Sequence, residues 1–161
     1  MQQFDIFGGV DKLKFNKETE KFDIVMNEKQ LQFKMVLKYR EIRPQDKLDL
    51  WSTRNQTFSG KDGMTQKGMG MLAGVSDLIY DGPYFLGLEV KVRGKEHKRS
   101  HIIQQLDWGK RRVEKGHYWC IVVSVEGFMF AIDNPGKPHK DVYLIEDVEK
   151  ILLEQKKTII F

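Results

Sequence analysis

The chain has 161 residues, 40% hydrophobic and 31% charged, which suits one globular domain and excludes a disordered composition. Its formal net charge of +4 permits a polyanionic partner without requiring one. The sequence has no apolar run long enough to cross a membrane, no signal-peptide pattern and a single cysteine, Cys120, so we expect a cytoplasmic protein with no internal disulfide and no membrane contact.

The first third of the chain predicts a hairpin, a helix and a strand. Two alternating segments predict a β-hairpin over 12–26, and Asn27 is a typical residue to cap the start of a helix over 28–42. The residues expected on the buried face of that helix are Leu31, Met35, Tyr39 and Ile42. Residues 48–54 predict a strand, and the glycine-rich segment 59–74 predicts a mobile loop.

The rest of the chain mixes strands and helices. The predicted strands are 75–81, 84–92 and 117–124, and the predicted helices are 98–115, 125–132 and 145–157. The expected apolar side of the first of these helices consists of Ile102, Leu106 and Val113. The order of elements predicts an α/β fold, with helices packed on a sheet.

Charged residues interrupt the two central strands. Alternate side chains of a strand face opposite ways, so Glu89 and Lys91 share one face, and a solvent-exposed face alone explains them. Asp77 in the neighbouring strand favours another interpretation, because adjacent carboxylates repel each other unless a cation lies between them. Mg²⁺ prefers one or two carboxylates together with water and phosphate oxygens, so the set suits metal-assisted attack on a phosphodiester.

The turn between these strands decides whether Asp77 and Glu89 share a face. A two-residue turn at 81–82 places Asp77 on the side opposite to Glu89. An odd-numbered loop, such as Asp81-Gly82-Pro83, or a β-bulge brings both side chains to the same face. The Asp-Gly-Pro tripeptide favours the odd loop.

Further motifs surround these charged residues. A glycine precedes the aspartate, Glu-Val-Lys ends the next strand, a helix carries glutamine and ends at glycine, and Ser-Val-Glu follows an apolar strand. The residues concerned are Gly74, Asp77, Glu89, Val90, Lys91, Gln105, Trp108, Gly116, Ser124, Val125 and Glu126. This pattern resembles the VRR-NUC family, the virus-type replication-repair nucleases, within the PD-(D/E)XK nuclease superfamily. Ser76 stands where the superfamily's motif has proline, a departure that the family tolerates.

The resemblance implies a PD-(D/E)XK restriction-endonuclease-like core, with a central mixed sheet flanked by helices. That core covers about 28–132 of a single nuclease domain spanning 1–161. Residues 1–26 are then an N-terminal hairpin extension, and residues 140–161 a C-terminal helical extension.

The resemblance also implies roles for the charged residues. Asp77 and Glu89 bind Mg²⁺ or Mn²⁺ with the help of the Val90 carbonyl. Lys91 positions or deprotonates the attacking water and stabilises charge on the phosphate. A lysine that acts as a base needs a lowered pKa, which a metal and partial burial can give.

Other residues receive supporting roles from the same resemblance. Gln105, or the adjacent Gln104, orients Lys91 or the water, and Glu28 at the start of the first helix is an additional active-site candidate. The basic segment after Lys91 adjoins this site, and two lysines of the glycine-rich loop can close over a nucleic acid. The DNA-binding candidates are Arg93, Lys95, Lys98, Arg99, Lys61 and Lys67.

The implied function is a metal-dependent DNA endonuclease that prefers branched or junction DNA and acts as a homodimer. The short stand-alone length fits a protein encoded by a virus or mobile element. Within the same class, the alternative is a non-specific or sequence-directed endonuclease. From a different class, the alternative is a catalytically inactive DNA-binding or inhibitor protein with the same fold.

Three other features have simpler explanations. His97 and His101 have the spacing of a metal pair on a helix, but no HExxH pattern accompanies them. Cys120 lies in an apolar strand and is expected to be an inert buried thiol. Trp108 and Trp119 are expected in the core instead of stacking on bases.

Overall fold

The computed structural model describes residues 12–16, 21–53 and 74–161. Its helices are α1 (Glu28–Ile42), α2 (Arg99–Val113), α3 (Val125–Asp133) and α4 (Ile145–Glu154), with a short 3-10 turn at Pro44–Asp46. Its strands are β1 (Lys12–Asn16), β2 (Lys21–Val25), β3 (Leu50–Ser52), β4 (Leu78–Asp81), β5 (Phe85–Val90), β6 (Glu96–Lys98), β7 (Tyr118–Val122), β8 (Val142–Tyr143) and β9 (Thr158–Ile160). Most of the predicted glycine-rich loop lies outside the described residues.

Five strands form the central sheet, in the order β3-β4-β5-β7-β8. Strands β5 and β7 run parallel and the other neighbours run antiparallel, so the sheet is mixed, as predicted. The N-terminal strands β1 and β2 pair antiparallel with each other, and β6 pairs antiparallel with β9. Among the described residues, no helix is long and apolar enough to span a membrane.

Each face of the sheet buries its own apolar cluster. Successive side chains of β7 point to opposite faces, so they join the two clusters in turn. Cys120 and Val122 join the cluster beneath α1 and α3, whereas Trp119 and Ile121 join the cluster beneath α2 and α4. Burial raises the pKa of the Cys120 thiol to about 12, which confirms the predicted inert, buried thiol. The fold is therefore a mixed sheet covered by helices on both sides.

Helix α1 begins and ends where the sequence predicts. Asn27 and Gln30 form a reciprocal capping box, in which each side chain accepts the backbone N–H of the other at 2.9 Å. Three members of the predicted apolar face are buried: Leu31, Met35 and Tyr39. The fourth, Ile42, was assigned wrongly, because at the last residue of the helix it is 52% exposed.

Helix α2 packs on the sheet through Gly109, a residue that the predicted apolar face does not include. Ile102 and Leu106 are buried as predicted, but Val113 is exposed near the helix end. Between them, Gly109 lies so close to Trp119 that a methyl group at Gly109 would overlap the indole ring. Trp119 is buried, as expected of a core residue, and the absence of a Gly109 side chain allows its close packing against the helix.

The C-terminal region is only partly helical, which corrects the predicted helical extension over 140–161. Strand β8 forms one edge of the central sheet, and α4 ends at Glu154 instead of continuing to 157. Strand β9 then pairs with β6, with His97 opposite Ile159. Both strands are three residues long, too short for a period of two to show in the sequence.

Candidate active site

The β4–β5 hairpin brings Asp77 and Glu89 together. Asp81 pairs with Phe85, and Leu78 with Leu88, so residues 82–84 form a three-residue loop. The predicted odd-numbered loop is confirmed, although it lies one residue later than 81–83. Because the register continues past Leu78, Asp77 lies beside Glu89 on the same face of the sheet.

Two backbone features fix Asp77 immediately before β4. One oxygen of its carboxylate, Oδ2, accepts the backbone N–H of Val90 at 3.0 Å. Upstream, Gly74 adopts φ 81°, and a Cβ there would lie 2.8 Å from the carbonyl oxygen of Gln104 on α2. A glycine is therefore required where the chain passes α2 to enter β4.

Ser76, which stands where the resemblance would place a proline, has a structural role of its own. It is fully buried, and its hydroxyl oxygen accepts the indole N–H of Trp119 at 3.1 Å. Its carbonyl accepts the hydroxyl of Thr53 at 2.5 Å. Proline has no side-chain oxygen, so it would leave the buried Trp119 N–H without this partner.

Glu89 is completely buried, which excludes the simple explanation of a solvent-exposed face. Its Oε1 accepts hydrogen bonds from Lys91 Nζ at 3.2 Å and from Gln105 Nε2 on α2. Its Oε2 is buried without a hydrogen-bond partner among the described residues. Burial raises the pKa of the Glu89 carboxyl well above its usual value, the Asp77 charge adds to the rise, and Lys91 opposes it.

Lys91 is 5% exposed and surrounded by carboxylates. Burial alone lowers the pKa of its ammonium, but the surrounding carboxylates outweigh burial and raise that pKa above its usual value. Glu89 and Asp77 contribute most, and Glu28 adds to the effect. Without a metal, Lys91 is therefore held as a cation. The lowering of its pKa by a metal together with partial burial stays a prediction for the metal-bound site.

The structure distinguishes the two glutamines and adds two residues from other elements. Gln105 is half-buried and binds Glu89, whereas the Gln104 side chain is exposed. Glu28, at the first turn of α1, faces this group, and its Oε1 lies 3.4 Å from Nδ1 of His97 on β6. The His97 contact could not be predicted, because no strand was expected at β6. His97 lies in β6 and His101 in α2, so they do not share a helix.

Two of the residues predicted to contact DNA, Arg93 and Arg99, form bonds within the protein. The Arg93 guanidinium pairs with the carboxylate of Asp141, and Arg99 donates to backbone carbonyls at the end of α4, Leu152 at 2.6 Å and Gln155 at 2.8 Å. Arg99 is thus half-buried and holds α2 to α4 instead of facing solvent. The exposed cations of this segment are Arg93, which is 56% exposed despite its ion pair, Lys95 and Lys98. Lys61 and Lys67 lie outside the described residues.

The oxygen atoms of this group suit a hard divalent cation. In the described part of the chain, no cluster of three or more His, Cys, Asp or Glu side chains is close enough to hold a metal. The two carboxylates of Asp77 and Glu89 nevertheless match the preference of Mg²⁺ for one or two carboxylates. The unpartnered Glu89 Oε2 is the observation that fits a cation, because a buried carboxylate oxygen otherwise loses its hydration without compensation.

One solved structure similar to this chain is described as a "VRR_NUC domain protein". The two superpose with a TM-score of 0.55 at 17% sequence identity, over 67% of this chain and 86% of that chain. No protein-family model matches the sequence, and no curated protein matches it either. The likeness shows the fold alone: the chain has the mixed α/β fold of a VRR-NUC domain, as predicted.

Proposed function

We propose that this protein is a metal-dependent endonuclease that hydrolyses DNA phosphodiester bonds. The main support is the fully buried Glu89, bonded to the Lys91 ammonium and placed beside Asp77, with one carboxylate oxygen left without a partner. Burying such a group is costly for folding alone, so a catalytic use explains it better than a structural one. The fold shared with a VRR-NUC domain supports the same reaction class.

Asp77 and Glu89 would hold Mg²⁺ or Mn²⁺, with the Val90 carbonyl as a further oxygen ligand. When bound, the ion supplies a Lewis acid for the phosphate oxygen and lowers the pKa of a coordinated water. The Val90 N–H fixes one Asp77 oxygen, and the bonds to Glu89 Oε1 leave Oε2 free for the ion. The protein thus orients both carboxylates before substrate binds.

Lys91 acts as a cation in this proposal. In the metal-free site the raised pKa keeps the ammonium protonated at neutral pH, and as a cation it stabilises negative charge on the phosphate. Gln105 fixes Glu89 from α2 and thereby the position of the ammonium. Arg93, Lys95 and Lys98, all exposed, remain the candidates for contacts with DNA phosphates beside the site.

The direct test is cleavage of supercoiled plasmid and of labelled single-stranded, duplex and junction DNA with Mg²⁺, Mn²⁺ or EDTA. We expect cleavage with either metal and none with EDTA. Asp77→Asn should remove it, whereas Asp81→Asn, at the exposed end of the same strand, should not. If the purified wild type binds DNA but cuts no substrate with either metal, the protein is a binding or inhibitor protein instead.

We retain branched or junction DNA as the preferred substrate and a homodimer as the active form. Two sites on a symmetric pair would cut both strands of a junction. Equal rates on a four-way junction and on linear duplex of the same sequence would reject the preference. A monomer at the concentration of the cleavage assay would reject the homodimer.

The adjacent glutamines provide a matched pair of variants. Gln105→Ala should lower the cleavage rate constant by about 10- to 100-fold, because Glu89 loses the bond that orients it and Lys91 is held through Glu89. Gln104→Ala should cleave like the wild type, since that side chain is exposed. Single-turnover cleavage with saturating Mg²⁺ measures both. Equal losses in the two variants would contradict the assignment of Gln105.

A further inference from the structure

His97 is buried beside the candidate active site, yet none of the roles given above uses it. Its side chain is 9% exposed, and its ring packs against Phe161 with 5.9 Å between ring centroids. Its Nδ1 lies 3.4 Å from Glu28 Oε1, and the ring also forms a hydrogen bond with the Val92 backbone. Its Nε2 is buried without a hydrogen-bond partner among the described residues. Such a placement of a polar ring needs a reason, because burial deprives it of water.

The backbone holds this imidazole firmly in place. His97 lies in β6, opposite the fully buried Ile159 of β9, and the Gly94 N–H donates to the Phe161 carbonyl at 2.9 Å. The Glu28 carboxylate, in contrast, comes from the first residue of α1 and is only half-buried. The His97 side chain is therefore held by its surroundings, whereas the Glu28 side chain has less support and depends on a partner to hold it.

We propose that His97 is a positioning residue that holds the Glu28 carboxylate towards the Lys91 ammonium. The inference rests on the proposed nuclease function. A neutral imidazole with its proton on Nδ1 would carry that proton on the atom that lies 3.4 Å from Glu28 Oε1, and would leave Nε2 as an acceptor. An ammonium has three donors, of which Glu89 takes one. Glu28, held by His97, would accept a second hydrogen bond from the ammonium. The Lys91 side chain would then have a fixed orientation towards the phosphate.

Two substitutions separate the two ring nitrogens. His97→Asn places an amide N–H near the position of Nδ1, whereas His97→Gln places it near that of Nε2, and His97→Leu removes both. We expect kcat for DNA cleavage to fall about 10-fold in His97→Leu and in His97→Gln, with KM unchanged, and to be largely restored in His97→Asn. His101→Leu, on the exposed side of α2, is the matched control and should cleave like the wild type.

Coupling to Glu28 is tested by combining Glu28→Gln with His97→Leu. If the histidine acts through the glutamate, the double variant should be no slower than Glu28→Gln alone. Additive losses in the double variant, or equal activity of His97→Leu and the wild type, would overturn the proposal. So would full activity in His97→Gln with loss in His97→Asn, because the role would then belong to Nε2.

An observation that needs no cleavage keeps this inference separate from the nuclease proposal. The ring ¹⁵N chemical shifts of His97 report which nitrogen carries the proton. We expect the Nδ1–H tautomer in the wild type and a shift of the proton between the two nitrogens in Glu28→Gln. A predominant Nε2–H tautomer in the wild type would refute the His97–Glu28 contact, whatever the protein does to DNA.

Discussion

Glu89→Gln is expected to abolish metal-dependent DNA cleavage and, in the same variant, to raise the stability of the metal-free protein. The wild-type carboxyl is fully buried beside Asp77, so its ionised form is disfavoured in the folded state. A glutamine of the same shape removes that charge and still accepts the bonds from Lys91 and Gln105 through its carbonyl, while the Asp77 and Glu28 carboxylates continue to offset the Lys91 ammonium. Activity and stability should therefore change in opposite directions at one residue.

The pH dependence of stability gives the sign of this effect. The folded-state pKa of Glu89 lies well above the ordinary value of 4.5, so the folded protein holds this proton more tightly than the unfolded chain does. Protonated Glu89 therefore stabilises the folded state. This contribution to the free energy of unfolding is fully present below pH 4.5 and is lost as the pH rises to the folded-state pKa. Without metal, the melting temperature of the wild type should fall relative to that of Glu89→Gln as the pH rises from 4.5.

Bound metal should make the wild type melt at a higher temperature than Glu89→Gln, the reverse of the order expected without metal. Mg²⁺ or Mn²⁺ that binds only the folded state raises the melting temperature of the wild type as its concentration increases, and should leave that of Glu89→Gln unchanged. Thermal melts in EDTA and in a metal series measure both effects. Glu96→Gln, an exposed glutamate on β6, is the control and should behave like the wild type. Metal-dependent cleavage by Glu89→Gln would remove Glu89 from the proposed metal site.

Lys91→Met is expected to lower the cleavage rate constant by about 100-fold or more, because the cation that stabilises the phosphate charge is lost. It should also destabilise the protein at neutral pH by about 1–3 kcal/mol, since the buried Glu89 loses a charged hydrogen-bond donor. The stability loss should shrink at low pH, where Glu89 is protonated and has no charge to compensate. Urea unfolding at several pH values, alongside single-turnover cleavage, measures these changes.

The matched control for Lys91→Met is Lys95→Met, at an exposed position of the same segment. It should weaken DNA binding, as judged by a higher KM at raised salt, and leave the maximal rate and the folding stability unchanged. A Lys91→Met protein with normal kcat would exclude the role as a charge stabiliser. Recovery of activity at higher pH in the wild type alone would point to a base instead.

The regular parts of this fold could be predicted because each carries a local signal. Asn27 and Pro44 mark the limits of α1, and the Asp-Gly-Pro tripeptide at 81–83 predicts that the loop after β4 has an odd number of residues. Asp77 and Glu89 could then be placed on one face from the period of two alone. The exact residues of the loop could not be predicted from the sequence. Asp81 pairs with Phe85 as the last residue of β4, and Tyr84 lies in the loop instead.

The parts that could not be predicted depend on contacts between residues far apart in the sequence. Strands β6 and β9 are held by each other, and Arg99 binds carbonyls at the end of α4, which a charge pattern cannot show. The His97–Glu28 contact involves a residue of β6 and so could not be predicted either. The raised pKa of Lys91 likewise follows from carboxylates that three separate elements bring around it.

The lone thiol of Cys120, enclosed between the sheet and its helices, makes chemical labelling selective. In the folded protein it is shielded and protonated, so maleimides and other thiol reagents would not modify it. A cysteine introduced at an exposed position would therefore carry a fluorophore uniquely. The rate at which the native thiol itself becomes reactive would measure how often the central sheet opens.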